Sequence, residues 1–210
     1  MKSYVCITGA AGGLGKAFAA ECAERGWDLI LTDVMSEKLP AIADGIEKMY
    51  GVRVIQYVSD LVEPESRAAF WAFMEENQYQ LNMLINVAGI DYEGLFWERS
   101  LEELRMIVRL NIEGTMEMTH HALAFRDPCR PMRIINVSSL AGFFPMPVKA
   151  VYAASKRFLL DLSRALNREL KHQDASITVL CPAGLPTTVS AVEKIKVQGD
   201  DEVSELGKAF

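Results

Sequence analysis

Apolar runs and helical runs alternate along the whole of this chain, and that alternation limits its fold more than any other feature. Residues 4–8, 29–32, 52–58, 81–87, 133–137 and 177–181 are short, apolar and rich in β-branched side chains, so they read as buried strands. Between them, residues 16–25, 37–50, 63–78, 101–125 and 151–171 carry helix formers at helical spacing. Pro64 sits in the first turn of the third helix, Gly26 follows the first, and Ser36 is the predicted cap of the second. Strands this apolar are buried on both faces, which in an alternating chain means a parallel sheet between two helical layers. Right-handed crossovers wind such a sheet outward in both directions, and ligands bind at the carboxyl ends of its strands. Asp33, Asp60, Asn86 and Ser139 all fall at such ends. The predicted fold is therefore α/β, a doubly wound, Rossmann-type parallel sheet in three layers, with residues 1–210 forming one domain.

The first strand runs into Gly9-Ala10-Ala11-Gly12-Gly13-Leu14-Gly15 and then into a helix. Strand, glycine turn and helix together offer backbone N–H groups and a positive helix end to an anion. The phosphate-loop pattern G-x-x-x-x-G-K-[ST] aligns on Gly15-Lys16 but fails at Ala10 and Ala17, and G-x-G-x-x-G fails at Ala11 and Phe18. The pattern that fits is T-G-x-x-x-G-x-G, carried by Thr8, Gly9, Gly13 and Gly15. Asp33, at the end of the second strand, is placed to accept hydrogen bonds from an adenosine ribose diol. Its charge would repel a 2′-phosphate, and no basic residue directly follows it. A dinucleotide bound here should be NAD(H) in preference to NADP(H). The plainer alternative is that Asp33 caps the next helix.

The 210 residues carry a formal net charge of −6 without a Lys/Arg block, which disfavours nucleic acid and anionic lipid surfaces as partners. No apolar run approaches the ~18 residues of a membrane span, and the N-terminus lacks a secretory pattern. Cys6, Cys22, Cys129 and Cys181 are scattered, with no C-x-x-C and no histidine at zinc-ligand spacing, so no metal site is expected. Cys6 and Cys181 read as buried hydrophobes, and a reducing, cytoplasmic location is the simplest fit. His120 and His121 are neighbours on one helix and point in different directions, as surface or packing residues do.

Tyr152 and Lys156 lie one turn apart on one face of the last helix. An ammonium beside a phenol favours the phenolate, so the Tyr152 pKa is expected below its reference of about 10. That would suit a proton donor and acceptor at working pH. A half-buried tyrosine and a solvated lysine on an amphipathic helix have the same spacing.

Five motifs now stand in order: Thr8 to Gly15, Asp60-Leu61, Asn86-Val87-Ala88-Gly89, Asn111 within the 101–125 helix, and a serine ahead of Tyr152-Ala153-Ala154-Ser155-Lys156. In this set the chain resembles the short-chain dehydrogenase/reductase family, in its single-domain branch, from Tyr4 to about Thr188. The family's serine lies thirteen residues before its tyrosine, which selects Ser139 over Ser138. The resemblance implies an oxidoreductase that moves a hydride between NAD(H) and a secondary alcohol or ketone. It puts Gly9, Gly13, Leu14 and Gly15 on the pyrophosphate side, Asp33 at the adenosine ribose, and Asp60 and Leu61 at the adenine. Asn86, Ala88, Gly89, Pro182 and Thr187 would complete the cofactor cleft, with Asn86 partly structural. Tyr152 would be the general acid/base, Lys156 would hold the nicotinamide ribose and lower the Tyr152 pKa, and Ser139 would bond the substrate oxygen. Asn111 would fix a water in a proton relay from Lys156. The implied assembly is a homodimer or homotetramer packed through the 101–125 and 151–171 helices.

The chemistry agrees with these roles. Hydride transfer at a carbinol carbon needs a proton moved at the oxygen and a developing alkoxide stabilised. Asn111 also asks for a reason, because asparagine is a poor mid-helix residue; a helix kink is the alternative. The apolar loop 142–147, with Asp91, Tyr92 and Leu95, is expected to wall a partly apolar substrate pocket, although Phe143 and Phe144 also suit an ordinary core. Two features depart from the family: Pro182-Ala183-Gly184 replaces Pro-Gly, and residues 188–210 read as a substrate-loop region with no final strand. The sixth strand would then be an apolar edge, so either the chain is part of a longer one, which is the expectation, or another element covers that edge. Two other functions compete. A non-catalytic dinucleotide-binding sensor or scaffold would not need Ser139, Tyr152, Lys156 and Asn111 together. A nucleotide-sugar epimerase or dehydratase usually needs a longer substrate domain.

Overall fold

Period-two alternation decides which way each strand residue faces. In the computed structural model, which describes residues 3–184, β1 (Ser3–Thr8) sends Tyr4 and Cys6 to one face of the sheet and Val5 and Ile7 to the other, all four buried. The chain continues through α1 (Gly13–Glu24), β2 (Leu29–Asp33), α2 (Leu39–Tyr50), β3 (Val54–Val58), α3 (Pro64–Glu76) and β4 (Gln80–Asn86). It then forms α4 (Leu101–Ile107), α5 (Thr115–Ala124), β5 (Met132–Val137), α6 (Ala150–Glu169) and β6 (Ala175–Leu180). The six strands are parallel in the order β3-β2-β1-β4-β5-β6. The chain winds outward from β1 to β3, crosses back to the free side of β1 as β4, and winds outward again. Its direction therefore reverses between β1 and β4, where a doubly wound sheet opens a crevice.

Each face of the sheet has its own core. Phe70, Trp71 and Met74 of α3 and Met118 and Ala122 of α5 cover Tyr4, Cys6, Leu84 and Ile134. Ala19, Cys22 and Ala23 of α1 and Leu39 and Ile46 of α2 cover Val5, Ile7, Leu29, Leu31 and Ile85. The doubly wound, three-layer fold is as the sequence indicates. His121 stacks on Trp71, a packing role. Among the described residues, no helix is long and apolar enough to cross a membrane.

Local boundaries differ from expectation in three places. The second helix begins at Leu39 and not at residue 37, and Ser36 does not cap it. Pro40 has no N–H to give the Ser36 carbonyl, so it is tolerated only within the first turn. The predicted 101–125 helix is interrupted by a π-helical turn, Val108–Gly114, which holds Asn111. Cys181 is only partly buried, because it lies just past the end of β6, which pairs with β5 alone among the described strands.

A buried arginine joins the second half of the fold to the loop after β3. Arg67, on α3, is 2% exposed. Its Nη1 donates to the carbonyls of Leu61 (2.7 Å) and Val62 (3.2 Å). Its Nε and Nη2 clasp the Glu117 carboxylate on α5 at 2.5 and 2.9 Å. The Arg67 hydrogen bond holds the Glu117 carboxyl below its ordinary pKa. A depressed carboxylate contributes stability above its unfolded pKa and loses it as pH falls through the folded one. Glu117 is 38% exposed and partly screened. Glu117→Gln should therefore cost about 1–2 kcal/mol in urea unfolding at neutral pH. The gap from the unsubstituted protein should close as the pH is lowered through the carboxylate range.

Candidate active site

The crevice between β1 and β4 has a floor of bare backbone. Gly9 leaves β1 at φ +65°, and a Cβ there would lie 2.7 Å from the Ala88 nitrogen. A Cβ on Gly15 would lie 2.1 Å from the Gly9 oxygen. The Thr8 hydroxyl accepts from the N–H groups of Val87 (3.1 Å) and Ala88 (3.2 Å), stitching the two strand ends together. Helix α1 starts at Gly13, its cap Gly12 makes no side-chain bond, and its first turn holds no acidic residue. The first N–H groups of α1 are thus not taken by a side chain. This is a cradle that side chains would fill, with the positive end of a helix dipole facing it, and it fits the pyrophosphate of a dinucleotide.

Asp33 flanks the cradle and helps to form it. One carboxylate oxygen accepts from Ala11 N–H at 2.9 Å and the other from Met35 N–H at 3.0 Å. It does not cap α2, whose cap is Lys38. Asp60 closes its own turn by accepting from Val62 N–H at 2.9 Å. The Leu61 side chain lies in the core, and its carbonyl receives Arg67. The Asn86 side chain turns away from the crevice into the interior, where Nδ2 donates to Thr119 (3.1 Å) and Asn136 (2.9 Å). The Asn86 amide nitrogen is thus committed to the interior. Pro182 stands beside the loop after β5, its carbonyl accepting from Leu140 N–H at 3.0 Å. Ala183 is not among the described residues with positive φ. Thr187 lies outside the described residues.

At the other end of the crevice the remaining predicted residues converge. Gly89 leaves a gap: a Cβ there would lie 3.3 Å from both Asn111 Oδ1 and Lys156 Nζ. Asn111 is fully buried. Its Oδ1 accepts from Ile90 N–H (2.9 Å), while Nδ2 donates to the Ile90 carbonyl (3.0 Å) and to Ser155 (3.1 Å). The asparagine that is awkward in a helix thus clamps the loop after β4, at the π turn. Both amide N–H groups are spent in doing so, which leaves one Oδ1 lone pair and the backbone for a water.

Of the two serines after β5, Ser138 is buried and donates to the Lys156 carbonyl at 2.6 Å. Ser139 caps the short 3₁₀ turn Leu140–Phe143, accepting from Ala141 N–H at 3.1 Å, and hydrogen-bonds Tyr152. Gly142 lets this turn pack on α6, since a Cβ would lie 2.9 Å from the Lys156 backbone. Lys156 is 4% exposed, donates to the Val137 carbonyl at 3.0 Å and sits 5.6 Å from the centre of the Tyr152 ring. Burial pulls its pKa down to about 8, against the opposing charges of Asp91 and Cys181.

The direction of the Tyr152 pKa is the main correction to the sequence reading. It is raised, not lowered. Burial raises it most; the Ser139 hydrogen bond opposes this, Asp91 adds to it, and Lys149 opposes it. Lys156 sits over the ring face and is itself drawn toward neutrality by burial, so it brings less positive charge to the phenol than its spacing suggests. Phe143 and Phe144 are exposed, Phe144 at 68%, and belong to neither core, which goes against the ordinary-core alternative for them. Among the described residues, no group of three His, Cys, Asp or Glu is placed to hold a metal. Sequence reasoning missed Lys149, three residues before Tyr152, and Ser155, whose place inside the Tyr/Lys motif was the available signal.

Residues 3–197 match the short chain dehydrogenase family, and the chain belongs to it. It is an oxidoreductase of that family, with a nicotinamide-dinucleotide fold. It is 28% identical over 94% of its length to the 3-oxoacyl-[acyl-carrier-protein] reductase FabG of Aquifex aeolicus, and spans 80% of that protein. Several other relatives are longer, and the chain spans 61–62% of their length. A short-chain dehydrogenase from Sphingobium yanoikuyae in complex with NADPH superposes with TM-score 0.85 at 30% identity, covering 98% of this chain and 80% of that one. A short chain dehydrogenase/reductase from Burkholderia phymatum in complex with NAD gives 0.81 at 26% identity, covering 97% and 73%.

The Asn111 clamp is the most exacting contact in the site. Asn111→Leu removes the partners of both Ile90 backbone groups and should cost about 2–4 kcal/mol in chemical denaturation. A loss below about 1 kcal/mol would mean that these groups find other partners.

Proposed function

We propose that the protein transfers a hydride between NAD(H) and a secondary alcohol or ketone, with Tyr152 moving the proton at the substrate oxygen. The observation that carries this reading is the meeting of Ser139, Tyr152 and Lys156 beside Gly89, at the far end of the glycine cradle. A bound nicotinamide dinucleotide supplies or accepts the hydride. Everything else is the work of the chain's own groups. Gly9, Gly13, Leu14 and Gly15 receive the pyrophosphate on backbone N–H groups. Asp60 and Leu61 would border the adenine, and Ala88, Gly89 and Pro182 would border the remainder. Lys156 uses one N–H on Val137 and keeps two for a ribose. Ser139 can donate its hydroxyl to the substrate oxygen while accepting from Ala141.

The raised Tyr152 pKa keeps the phenol protonated at neutral pH, which suits it to protonate a carbonyl oxygen during reduction. Oxidation needs the phenolate and should speed up as the pH rises. The exposed side chains of Leu95, Phe143 and Phe144 border this end of the chain's loops and favour a substrate with an apolar portion. Leu101, Val108 and Met116 are exposed along α4, the π turn and α5, consistent with a homodimer or homotetramer packed there.

NAD(H) is favoured over NADP(H) because the Asp33 carboxylate stands against the cradle, where a 2′-phosphate would meet its charge. Relatives bound to either cofactor exist, so the choice rests on this residue. Asp33→Asn keeps the shape that supports Ala11 and removes the charge. The ratio of NADPH to NADH dissociation constants, read from nicotinamide fluorescence, should then fall about tenfold or more in favour of NADPH. An unchanged ratio would remove Asp33 from the ribose site.

Tyr152→Phe tests the proton-transfer role. Turnover of a ketone that the unsubstituted protein reduces should drop by about 10²–10⁴-fold, with the NADH dissociation constant unchanged within a few-fold. Retained turnover would assign the proton to another group.

A further inference from the structure

Two ammonium groups, not one, flank the Tyr152 ring. Lys156 Nζ lies 5.6 Å from the ring centre, and Lys149 Nζ, one turn earlier at the start of α6, lies 5.7 Å from it. Lys149 is held in place by an ion pair with Asp91 Oδ2 at 2.5 Å and a longer one with Glu93 Oε2 at 3.3 Å. Asp91 and Glu93 belong to the loop after β4, two and four residues past Gly89. Asp91 Oδ1 is buried and has no hydrogen-bond partner among the described residues, so Lys149 is the neutralising contact of this carboxylate.

The same two loops are tied by Gly94 N–H donating to the Val148 carbonyl at 2.8 Å. Val148 has φ +58°, a conformation that β-branched residues rarely adopt. The turn into α6 is thus held by its contacts and not by its own preference. Asp91, Lys149 and Gly94 supply those contacts directly ahead of Tyr152.

We propose that Asp91 and Lys149 are a positioning pair for Tyr152: their ion pair clamps the loop after β4 to the start of α6, and its charge balance sets how readily the phenol gives up its proton. The proposal rests on the reading of Tyr152 as the residue that moves the proton. The two charges act in opposite senses, Asp91 holding the phenol proton more tightly and Lys149 loosening it. Burial alone would lower the Lys149 pKa, but its bonds to Asp91 and Glu93 outweigh burial and raise it, so Lys149 stays charged across the working range. The other groups facing the phenol are Lys156 on α6 and Ser139 from the loop after β5, with Cys181 beyond Lys156 at the end of β6.

The test is a titration of the Tyr152 phenol itself, by NMR of protein labelled with ¹³C at tyrosine Cζ. The protein has six tyrosines, and the signal lost in Tyr152→Phe identifies residue 152. Asp91→Asn leaves Lys149 less neutralised and should lower the Tyr152 midpoint by about one pH unit; Lys149→Met should raise it by a similar amount. Glu93→Gln, at a more exposed carboxylate, should give a smaller fall and serves if either of the other two variants fails to fold. Midpoints that stay in place in the folded variants, with or without a loss of thermal stability, overturn the proposal and leave a purely structural clamp. The titration needs no substrate. A protein that reduces no carbonyl compound would therefore remove the dehydrogenase reading while the midpoints still decide the pair. Where turnover is found, the acid limb of the oxidation profile should move with the midpoint, down in Asp91→Asn and up in Lys149→Met.

Discussion

The loops after β1 and β4 touch backbone to backbone, and the rest of the site depends on that contact. No Cβ fits at Gly9 against Ala88 or at Gly15 against Gly9. The Thr8 hydroxyl takes the two N–H groups that β4 leaves unpaired as it ends. A doubly wound sheet always opens a crevice where its winding reverses. Here the crevice has a floor without side chains, and bare N–H groups beside a helix N-terminus are what an anionic cofactor requires. Asp33 then works in two directions, supporting Ala11 of the cradle while setting a negative charge at its rim.

Beneath the crevice, buried amides fix the elements that carry Ser139, Tyr152 and Lys156. Asn86 joins Thr119 and Asn136, and Asn136 donates to Ser163 at 3.0 Å, so β4, α5, β5 and α6 share one polar chain. Asn111 adds the loop after β4 and Ser155 of α6. A satisfied buried hydrogen bond contributes only about 1 kcal/mol net, whereas an orphaned group costs about 1–3 kcal/mol. The network therefore enforces one register more than it adds stability. It also explains the π turn. An asparagine that must reach Ile90 from within a helix is accommodated by widening the helix locally, and Gly114 lets the next turn approach the Leu61 carbonyl to within a Cβ distance of 3.1 Å.

The sequence reading succeeded where a short-range pattern has one physical meaning. Period-two apolar strands between helical runs specify a parallel three-layer sheet, and all six strands lie where expected to within a few residues. The two neighbouring serines part in space: Ser138 is buried on the Lys156 carbonyl, and Ser139 meets Tyr152. It failed where a residue's behaviour depends on groups distant in sequence. Ser36 is a local exception, since Pro40, four residues on, has no N–H for the Ser36 carbonyl. The structural share of Asn86 became specific only in space, where its Nδ2 finds partners 33 and 50 positions away. The Tyr152 pKa was read from the one lysine in its motif, while its burial, Ser139, Asp91 and Lys149 decide the direction.

By itself, the sequence determined the order of the strands along the chain, the glycine turn at the first of them and the residue types available for proton transfer. These follow from local sterics and from the period of the pattern, which act over a few residues. Only the tertiary structure decided which face each group presents, how deeply Lys156 and Tyr152 are buried, and that Asp91 meets Lys149 across 58 residues. Charge–charge energies and desolvation depend on distance and on the surrounding medium. Neither is defined until the sheet has brought the ends of β1, β4 and β5 together.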